Sequence, residues 1–445
     1  MYKFPKNLYT DVRIEDVNYS EITYRNGELL QNLKRSYKGA FIRVFDGRRW
    51  YYSSTTDVDN IQKEIDNLAI MARKNENIMD NPIVSKFEVN RGEFIHFREN
   101  DILNINQEEK LDLLKSFFPI IEEREEVKMW RAVYLDRKIT KEFYSSKGAD
   151  LKFDYQTCGI AFRYSLNVEG KTLDSSYDKT VVNFDEFKGL HGNLRKTLDR
   201  DIKFVKDAKP VKPGKYTVIF APVATGVFTH ESFGHKSEAD FMIGDETMMK
   251  EWPIGKKVGA DNLCIVDSGE ILGSGFVPFD DEGTKAHKTY LIKNGILSGR
   301  LHSTITAESL KEDTTGNARA LNFEFEPIVR MTNTYIEPGD KTKEELISEV
   351  KEGILIEDIN HGSGMSIFTI APKISYMIRD GKIAEPVNIS VVTGNVMETL
   401  HEIDGISKEF ELLSFTMGGC GKMEQFPLPV GLGGPYIRVN NVNVQ

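Results

Sequence analysis

Two histidines that lie close together in the sequence constrain the fold of this chain more than any other feature. The familiar metal-binding pattern HExxH places its histidines at i and i+4 on one helix face, with the intervening glutamate free to act as a base. In His230-Glu-Ser-Phe-Gly-His235 the second histidine comes one residue later. At about 100° per residue an ideal helix would turn the two side chains roughly 140° apart. We therefore expect the helix to bend at Gly234, because glycine tolerates backbone angles that other residues avoid.

Two histidines leave a metal ion short of a ligand, and we expect the third from Cys420. This is the one cysteine within a glycine cluster, Gly418-Gly-Cys-Gly-Lys422, and flanking glycines let the backbone bring the sulfur close to the histidine helix. Two imidazoles and a thiolate suit zinc and leave a fourth position for water or substrate. Glu231 then serves as the proton acceptor. The alternatives are that Cys420 is a small buried hydrophobe and that Glu231 orients a ligand or is solvated.

Composition excludes several classes of partner. The 445 residues are enough for two domains, and the net charge of −10 argues against nucleic acid or an anionic membrane as a partner. No apolar run approaches the length of a membrane helix, and the charged start of the chain does not resemble a signal peptide. Three widely separated cysteines suit a reducing compartment. We predict a cytoplasmic protein.

The pattern of the chain predicts an α+β fold in two domains. Extended segments with hairpin signals at Asn26-Gly27 and Asp46-Gly47, followed by amphipathic helices, indicate an N-terminal mixed α+β domain over residues 1–209. Prolines and a glycine in Ala208–Gly214 mark the boundary. A strand and a helix that carries the histidines follow, and mostly β signals continue to the end, which predicts a β-rich catalytic domain over residues 210–445.

The chain also resembles the TldD/PmbA family, in particular its TldD-like members that retain a metal site. The resemblance spans most of the chain and implies a zinc-dependent peptidase with His230, His235 and Cys420 as ligands and Glu231 as base. It further implies a barrel-like C-terminal domain and a dimer, homomeric or formed with a PmbA-like subunit that lacks the ligands. Glu424 stands where the family often has a small residue. The motifs are His230–His235 with Glu238-Ala-Asp240, Asp280-Asp-Glu-Gly-Thr284, Arg330-Met-Thr-Asn-Thr-Tyr335 with Pro338-Gly-Asp340, and Gly419-Cys-Gly-Lys422 with Gln425.

Other polar residues are predicted to be structural. Cys158 and Cys264 lie in apolar, strand-like surroundings and are expected in the core. The acidic run Asp280–Glu282 is expected to be a solvated loop, with a role in a cleft or dimer as the alternative. Four further histidines lack ligand-like neighbours in the sequence, which favours a structural role over one in a substrate cleft: His287, His302, His361 and His401.

The leading hypothesis is a zinc-dependent metallopeptidase that hydrolyses amide bonds in peptides or unfolded protein segments through a metal-activated water. One alternative is a non-hydrolytic peptide-binding or assembly subunit in which zinc is structural. Another is a transferase or amidase that uses the same chemistry on a small molecule. An open metal position distinguishes the enzymes from the structural subunit, because a structural zinc has four protein ligands.

Overall fold

Long antiparallel strands form the first sheet of the computed structural model, which describes residues 2–445. Its seven strands are β1 (Tyr9–Arg25), β2 (Glu28–Phe45), β3 (Trp50–Thr55), β4 (Arg91–Phe94), β5 (Val127–Ser145), β6 (Asp150–Val168) and β7 (Lys171–Val181). They run in the order β3-β2-β1-β5-β6, and β4 and β7 share the far edge of β6. The predicted hairpin turn between β1 and β2 is confirmed, since Asn26 and Gly27 adopt φ of 46° and 82°.

Five helices accompany this sheet, α1 (Ile61–Met71), α2 (Pro82–Lys86), α3 (Gln107–Ser116), α4 (Phe118–Glu122) and α5 (His191–Asp207). Leu114 of α3, Ile121 of α4 and Leu194 of α5 are fully buried against the aromatic face of β5 and β6. Helix α3 ends at Ser116 and α4 begins at Phe118, because Pro119 has no backbone N–H to donate within a continuous helix. Proline does fit the first turn of a new helix.

A second, larger sheet contains most of the remaining strands. They are β8 (Lys209–Pro210), β9 (Gly214–Phe220), β10 (Ile265–Ser268), β11 (Lys288–Lys293), β12 (Ile296–Leu297), β13 (Ala318–Arg319), β14 (Ile328–Val329), β15 (Asn333–Ile336), β16 (Glu352–Ser363), β17 (Ile367–Arg379), β18 (Lys382–Asn388), β19 (Val392–Asn395), β20 (Ile403–Ser414), β21 (Cys420–Lys422), β22 (Gln425–Leu428) and β23 (Gly431–Val444). Two pairs, β13 with β14 and β21 with β22, form small separate ribbons.

Five of these strands close into a barrel, because β23 pairs with β9, β9 with β16, β16 with β17, β17 with β19 and β19 again with β23. The predicted α+β class and the barrel-like character of the C-terminal part are therefore confirmed. Helices of this part are α6 (Pro222–Thr229), α7 (His235–Ser237), α8 (Glu246–Glu251), α9 (Thr304–Leu310), α10 (Lys343–Ser348) and α11 (Val396–His401). The apolar core includes Phe228 of α6 and Phe368 of β17.

The acidic run Asp280–Glu282 joins the two sheets, and the expectation of a solvated loop was wrong. Lys141 of β5 donates to Asp281 at 2.5 Å, and Arg43 of β2 donates to Glu282 at 2.9 Å. All of these side chains are buried, so each charge depends on its partner for stability. These ion pairs fix the first sheet against the segment that precedes β11.

The strands β1 to β7 belong to one sheet, and β8 pairs with β18 in the other. The change of sheet lies next to the predicted boundary between residues 209 and 210, although the division into two separate domains stays a prediction. Across residues 2–445, every helix is too short or too polar to span a lipid bilayer.

Candidate metal centre

One irregular helix presents both histidines. It begins with Pro222 at its first position, continues as α6 to Thr229, passes through a π-helical turn over His230–Gly234 and ends as α7. The backbone N–H of His235 donates to the carbonyl of His230. A π turn closes its hydrogen bond between residues five apart, so side chains at that spacing come to lie above one another. The π turn therefore brings both imidazoles to one face despite the extra residue.

Gly234 serves a different purpose from the one predicted. Its φ of −54° and ψ of −60° are ordinary helical angles, so the expectation that it supplies an unusual bend was wrong. A Cβ atom built on Gly234 instead overlaps the sulfur of Met331. Glycine is thus required because the helix passes very close to the segment between β14 and β15.

Cys420 begins the short ribbon formed by β21 and β22. The preceding residue, Gly419, has a φ of 154°, and a Cβ there would lie 2.5 Å from the carbonyl oxygen of Leu428. A Cβ on Gly421 would be less crowded, 3.2 Å from the Phe426 ring. The glycines around Cys420 therefore shape the ribbon itself, whereas we had expected them to clear space for the histidine helix.

The structure brings the three predicted ligands together. One ligand atom each from His230, His235 and Cys420 lies within 4.8 Å of the other two. The Cys420 sulfur is 3.4 Å from Nε2 of His235, and the two imidazole centroids are 5.1 Å apart at an angle of 80°. His230 and Cys420 are 190 residues apart in the sequence.

The environment of the cluster fits a metal ion. Nδ1 of His230 is buried without a hydrogen-bond partner, which is costly for a polar atom unless a ligand satisfies it. Burial would raise the pKa of the Cys420 thiol, but hydrogen bonds from His230 and His235 outweigh burial and lower this pKa to about 5. The sulfur is therefore a thiolate at neutral pH, the form that binds metals. Two imidazoles and a thiolate suit zinc.

Glu238 and Lys422 support the cluster from behind, and the sequence had not assigned them a role. Nδ1–H of His235 donates to the Glu238 carboxylate at 3.1 Å, which leaves Nε2 facing the Cys420 sulfur. Glu238 is fully buried and also pairs with Lys422, whose Nζ lies 3.2 Å away and donates to Asp240 at 2.6 Å. A carboxylate that holds the second nitrogen of a ligand histidine is a common device in metal sites. Glu238 lies three residues after His235 in the sequence, and this spacing was the signal that could have predicted the contact.

Glu231 follows the first histidine within the π turn. It is half-buried, and among residues 2–445 it forms no ion pair that would occupy its carboxylate. The backbone of the turn lies against Gly364, where an added Cβ would be 3.4 Å from the Glu231 carbonyl oxygen. Strand β16 therefore leads directly to this turn.

The region that carries Cys420 is also anchored to the first sheet. Thr416 donates to the Asp178 carboxylate of β7 through its backbone N–H at 2.9 Å and through its hydroxyl at 2.7 Å. Burial raises the pKa of Asp178 to about 6, although the bonds from Thr416 act in the opposite direction. The position of Cys420 thus depends on contacts with both sheets.

The remaining predicted residues lie outside the cluster. Cys158 is buried in the first core as expected, whereas Cys264 is only half-buried, next to Asn294. His302 is buried and bonds to Glu312 at 2.9 Å, which agrees with a structural role. The other three histidines are exposed and belong to no candidate metal cluster among residues 2–445: His287, His361 and His401.

Known proteins resemble this chain over nearly its whole length. The chain is 30% identical to a metalloprotease of Methanocaldococcus jannaschii, with 97% of this chain and 95% of that protein covered. It is 29% identical to the zinc metalloprotease TldD homolog of Saccharolobus solfataricus, over 100% and 99% of the two chains. The solved structure of TldE from Thermococcus kodakarensis has the same fold, with a TM-score of 0.75 at 16% identity over 98% of this chain and 96% of that one. A Thermotoga maritima protein described as a modulator of a DNA gyrase gives a TM-score of 0.77 at 19% identity, over 98% of this chain and 96% of that one.

Family models match two parts of the chain. The PmbA/TldA metallopeptidase C-terminal domain matches residues 213–445, and the PmbA/TldA metallopeptidase domain 1 matches residues 10–75. The first match includes both histidines, Glu231 and Cys420. Together with the relative that aligns over nearly the whole chain, these matches show that the protein belongs to the TldD/PmbA family of metallopeptidases.

Proposed function

We propose that the protein is a zinc-dependent peptidase that hydrolyses amide bonds in peptides or unfolded protein segments. His230, His235 and Cys420 hold the metal in this proposal, and Glu231 is the catalytic base. The observation that carries it is the three-ligand cluster with a carboxylate in the same helical turn. The names of the two long relatives, a metalloprotease and a zinc metalloprotease, support the same assignment.

Each residue has a distinct task in this mechanism. When bound, zinc supplies Lewis acidity, which favours loss of a proton from water and polarises the scissile carbonyl. Glu231 accepts the proton as the water oxygen attacks the carbonyl carbon, and returns it to the departing amine as the C–N bond breaks. Glu238 holds His235 in the tautomer whose Nε2 points at the metal position.

A structural zinc in a non-hydrolytic subunit is the competing function. Such a site requires four protein ligands, whereas the cluster found among residues 2–445 offers three. The open position therefore supports the peptidase over the structural alternative. A small-molecule amidase or transferase would use the same metal chemistry and is separated from a peptidase by its products.

The Glu231→Gln variant tests the proposal directly. Wild-type protein and the variant are loaded with zinc and incubated with a peptide library, and products are identified by mass spectrometry. We expect wild type to release shorter peptides and the variant to lose this activity by a factor of about 100 or more with its zinc retained. Glu246→Gln, at an exposed position of α8, is the matched control. Equal turnover by Glu231→Gln would remove this residue from the mechanism.

The partner and the location of the protein also remain proposals. We propose a dimer, either of two copies or with a PmbA-like subunit, and a cytoplasmic location. The protein shares its fold with TldE, which supports the proposal of a partner subunit with the same fold. Native mass spectrometry of protein purified from its source distinguishes the two dimers by mass. A monomer in that experiment contradicts both.

A further inference from the structure

Three arginines lie side by side on neighbouring strands of the first sheet, far along the chain from the metal ligands. Arg25 of β1 pairs with Arg131 of β5, and Arg131 pairs with Arg163 of β6. We name these three residues the arginine ladder. Directly opposed side chains in an antiparallel sheet are about 4.5–5.5 Å apart at Cβ, and like charges at this spacing are destabilising. Arg25 and Arg163 are exposed and Arg131 is half-buried, so solvent screens part of this repulsion and a ligand of opposite charge would relieve more of it.

The protein itself provides little relief. Among residues 2–445 no carboxylate forms a direct ion pair with a member of the ladder, and Nε of Arg131 is buried without a hydrogen-bond partner. The charge of Arg163 does act on Asp178, where it opposes the rise in pKa that burial causes. The chain as a whole carries a net charge of −10, so acidic residues are abundant elsewhere. The absence of a carboxylate in direct contact with the three guanidinium groups therefore needs a local explanation.

The ladder faces a cavity of about 490 Å³ between the two sheets. Asn360 of β16 and Lys373 of β17 line the opposite wall. The Lys373 ammonium is 2.9 Å from the Asp358 carboxylate, which it shares with Arg200 at 3.1 Å. Asp174 is the one acidic residue of the lining, and it accepts a hydrogen bond from Ser165. The cavity is thus cationic, with guanidinium groups free to bind a ligand.

The chemistry of the ladder selects a ligand with carboxylates. A guanidinium group presents parallel N–H donors that match the two oxygens of a carboxylate. Several such groups in a row match a chain that carries several acids. A long polyanion such as nucleic acid is disfavoured by the negative charge of the rest of the protein.

The cavity is connected to the metal centre by a single strand. Asn360 lies four residues before Gly364, and Gly364 packs against the backbone of Glu231 and the Ser232 hydroxyl. Four residues of extended backbone cover about 13 Å. A peptide that reaches from the Glu231 turn to the cavity therefore needs at least about four extended residues.

We propose that the arginine ladder binds acidic side chains of a polypeptide substrate, about four or more residues from the bond that is cut. This inference rests on the proposed peptidase function for its ligand, but binding at the ladder does not require hydrolysis. The ladder thereby selects substrates by charge at a distance from the metal centre.

Binding is measured on the intact protein carrying Glu231→Gln, which keeps the probe uncut. The probes are two fluorescent, unstructured peptides of equal length, one with a run of glutamates and one with glutamines in their place. We expect the acidic probe to bind about tenfold more tightly in anisotropy titrations at low salt, as charge-assisted hydrogen bonds predict. Adding Arg131→Gln or Arg163→Gln should reduce its affinity to that of the neutral probe. Arg48→Gln, at an exposed turn position, should leave the preference unchanged.

Thermal unfolding without peptide separates binding from folding. Removing one of three opposed like charges should leave the melting temperature equal or higher. The proposal is overturned if both probes bind equally to the protein with an intact ladder, or if Arg131→Gln and Arg163→Gln keep the preference for the acidic probe. A substantially lower melting temperature in both arginine variants would also overturn it, because the ladder would then be structural. These outcomes do not depend on whether the wild-type protein cleaves peptides.

Discussion

His235 donates its backbone N–H to the carbonyl of His230. This one hydrogen bond converts a spacing that is unsuitable in an α-helix into a shared face for two imidazoles. Cys420 then approaches from a separate ribbon, with its sulfur 3.4 Å from His235 Nε2. The geometry of the candidate centre therefore rests on a local change of helix type and on a long-range contact.

Cys420→Ala should remove zinc from the purified protein. Loss of a hydrogen-bond partner of a ligand typically lowers metal affinity by about 10–100-fold. Loss of Cys420, a direct ligand, should lower zinc affinity by more than this. Zinc content is measured by elemental analysis after dialysis. Cys264→Ala, at a half-buried position outside the cluster, is the control and should keep its zinc. Full zinc occupancy in Cys420→Ala would show that the third ligand lies elsewhere.

Gly234→Ala should destabilise the protein by about 1–3 kcal/mol, because the added methyl group overlaps the Met331 sulfur in a packed interior. Urea unfolding of metal-free protein measures this change. Gly192→Ala is the control, since a Cβ there has nothing within 4 Å. Met331→Ala removes a fully buried side chain and is itself destabilising, so the double variant Gly234→Ala/Met331→Ala should lose less stability than the sum of the two single variants. If the two losses simply add, the close approach to Met331 is not the cause.

Glu238→Gln should weaken zinc binding by about 10–100-fold without removing any ligand. The amide no longer carries the charge that strengthens the hydrogen bond from His235. Competition with a chromophoric chelator measures affinity, and a melting curve of metal-free protein reports on folding. Glu337→Gln, which removes a carboxylate paired with Lys288 elsewhere in the sheet, is the control. Unchanged zinc affinity in Glu238→Gln would contradict a positioning role.

Asp178→Asn should alter the dependence of stability on pH. Burial raises the pKa of Asp178 from 3.8 to about 6, so the folded protein binds more protons than the unfolded chain between these values. Stability contributed by this group is therefore greatest below pH 4, falls as pH rises through 6 and is constant above it. Asparagine keeps an oxygen that accepts the bonds from Thr416 but carries no charge.

We expect Asp178→Asn to be more stable than wild type at pH 7.5 by roughly 1–2 kcal/mol, with a smaller difference at pH 4.5. Urea unfolding across this pH range measures the effect. Asp59→Asn, at an exposed position, should give a curve parallel to that of wild type. A parallel curve for Asp178→Asn itself would show that the buried carboxylate does not titrate in this range.

Local features of the sequence predicted much of the fold and of the centre. Asn26-Gly27 identified a hairpin because the turn requires left-handed angles, and Pro119 identified the interruption between α3 and α4 because its ring removes a donor. Residue chemistry was sufficient to select His230 and Cys420, which the structure brings together.

Features that depend on distant residues were not predictable in this way. The packing role of Gly234 was missed because its close contact is with Met331, about a hundred residues later. The acidic run was misjudged because the partner of Asp281, Lys141, belongs to the other sheet. The arginine ladder was invisible because strand register, which places Arg25 beside Arg131, is set only when the sheet forms.

The separation of the ligands along the chain has a consequence for biosynthesis. His230 precedes Cys420 by 190 residues. At about 5–20 residues per second, a ribosome needs roughly 10–40 s to pass from one to the other. During that interval the nascent chain holds the histidines without the thiolate. In the proposed enzyme, an interrupted translation product that stops within this stretch would therefore lack the complete ligand set, and zinc-dependent cleavage would be delayed until synthesis has passed Cys420.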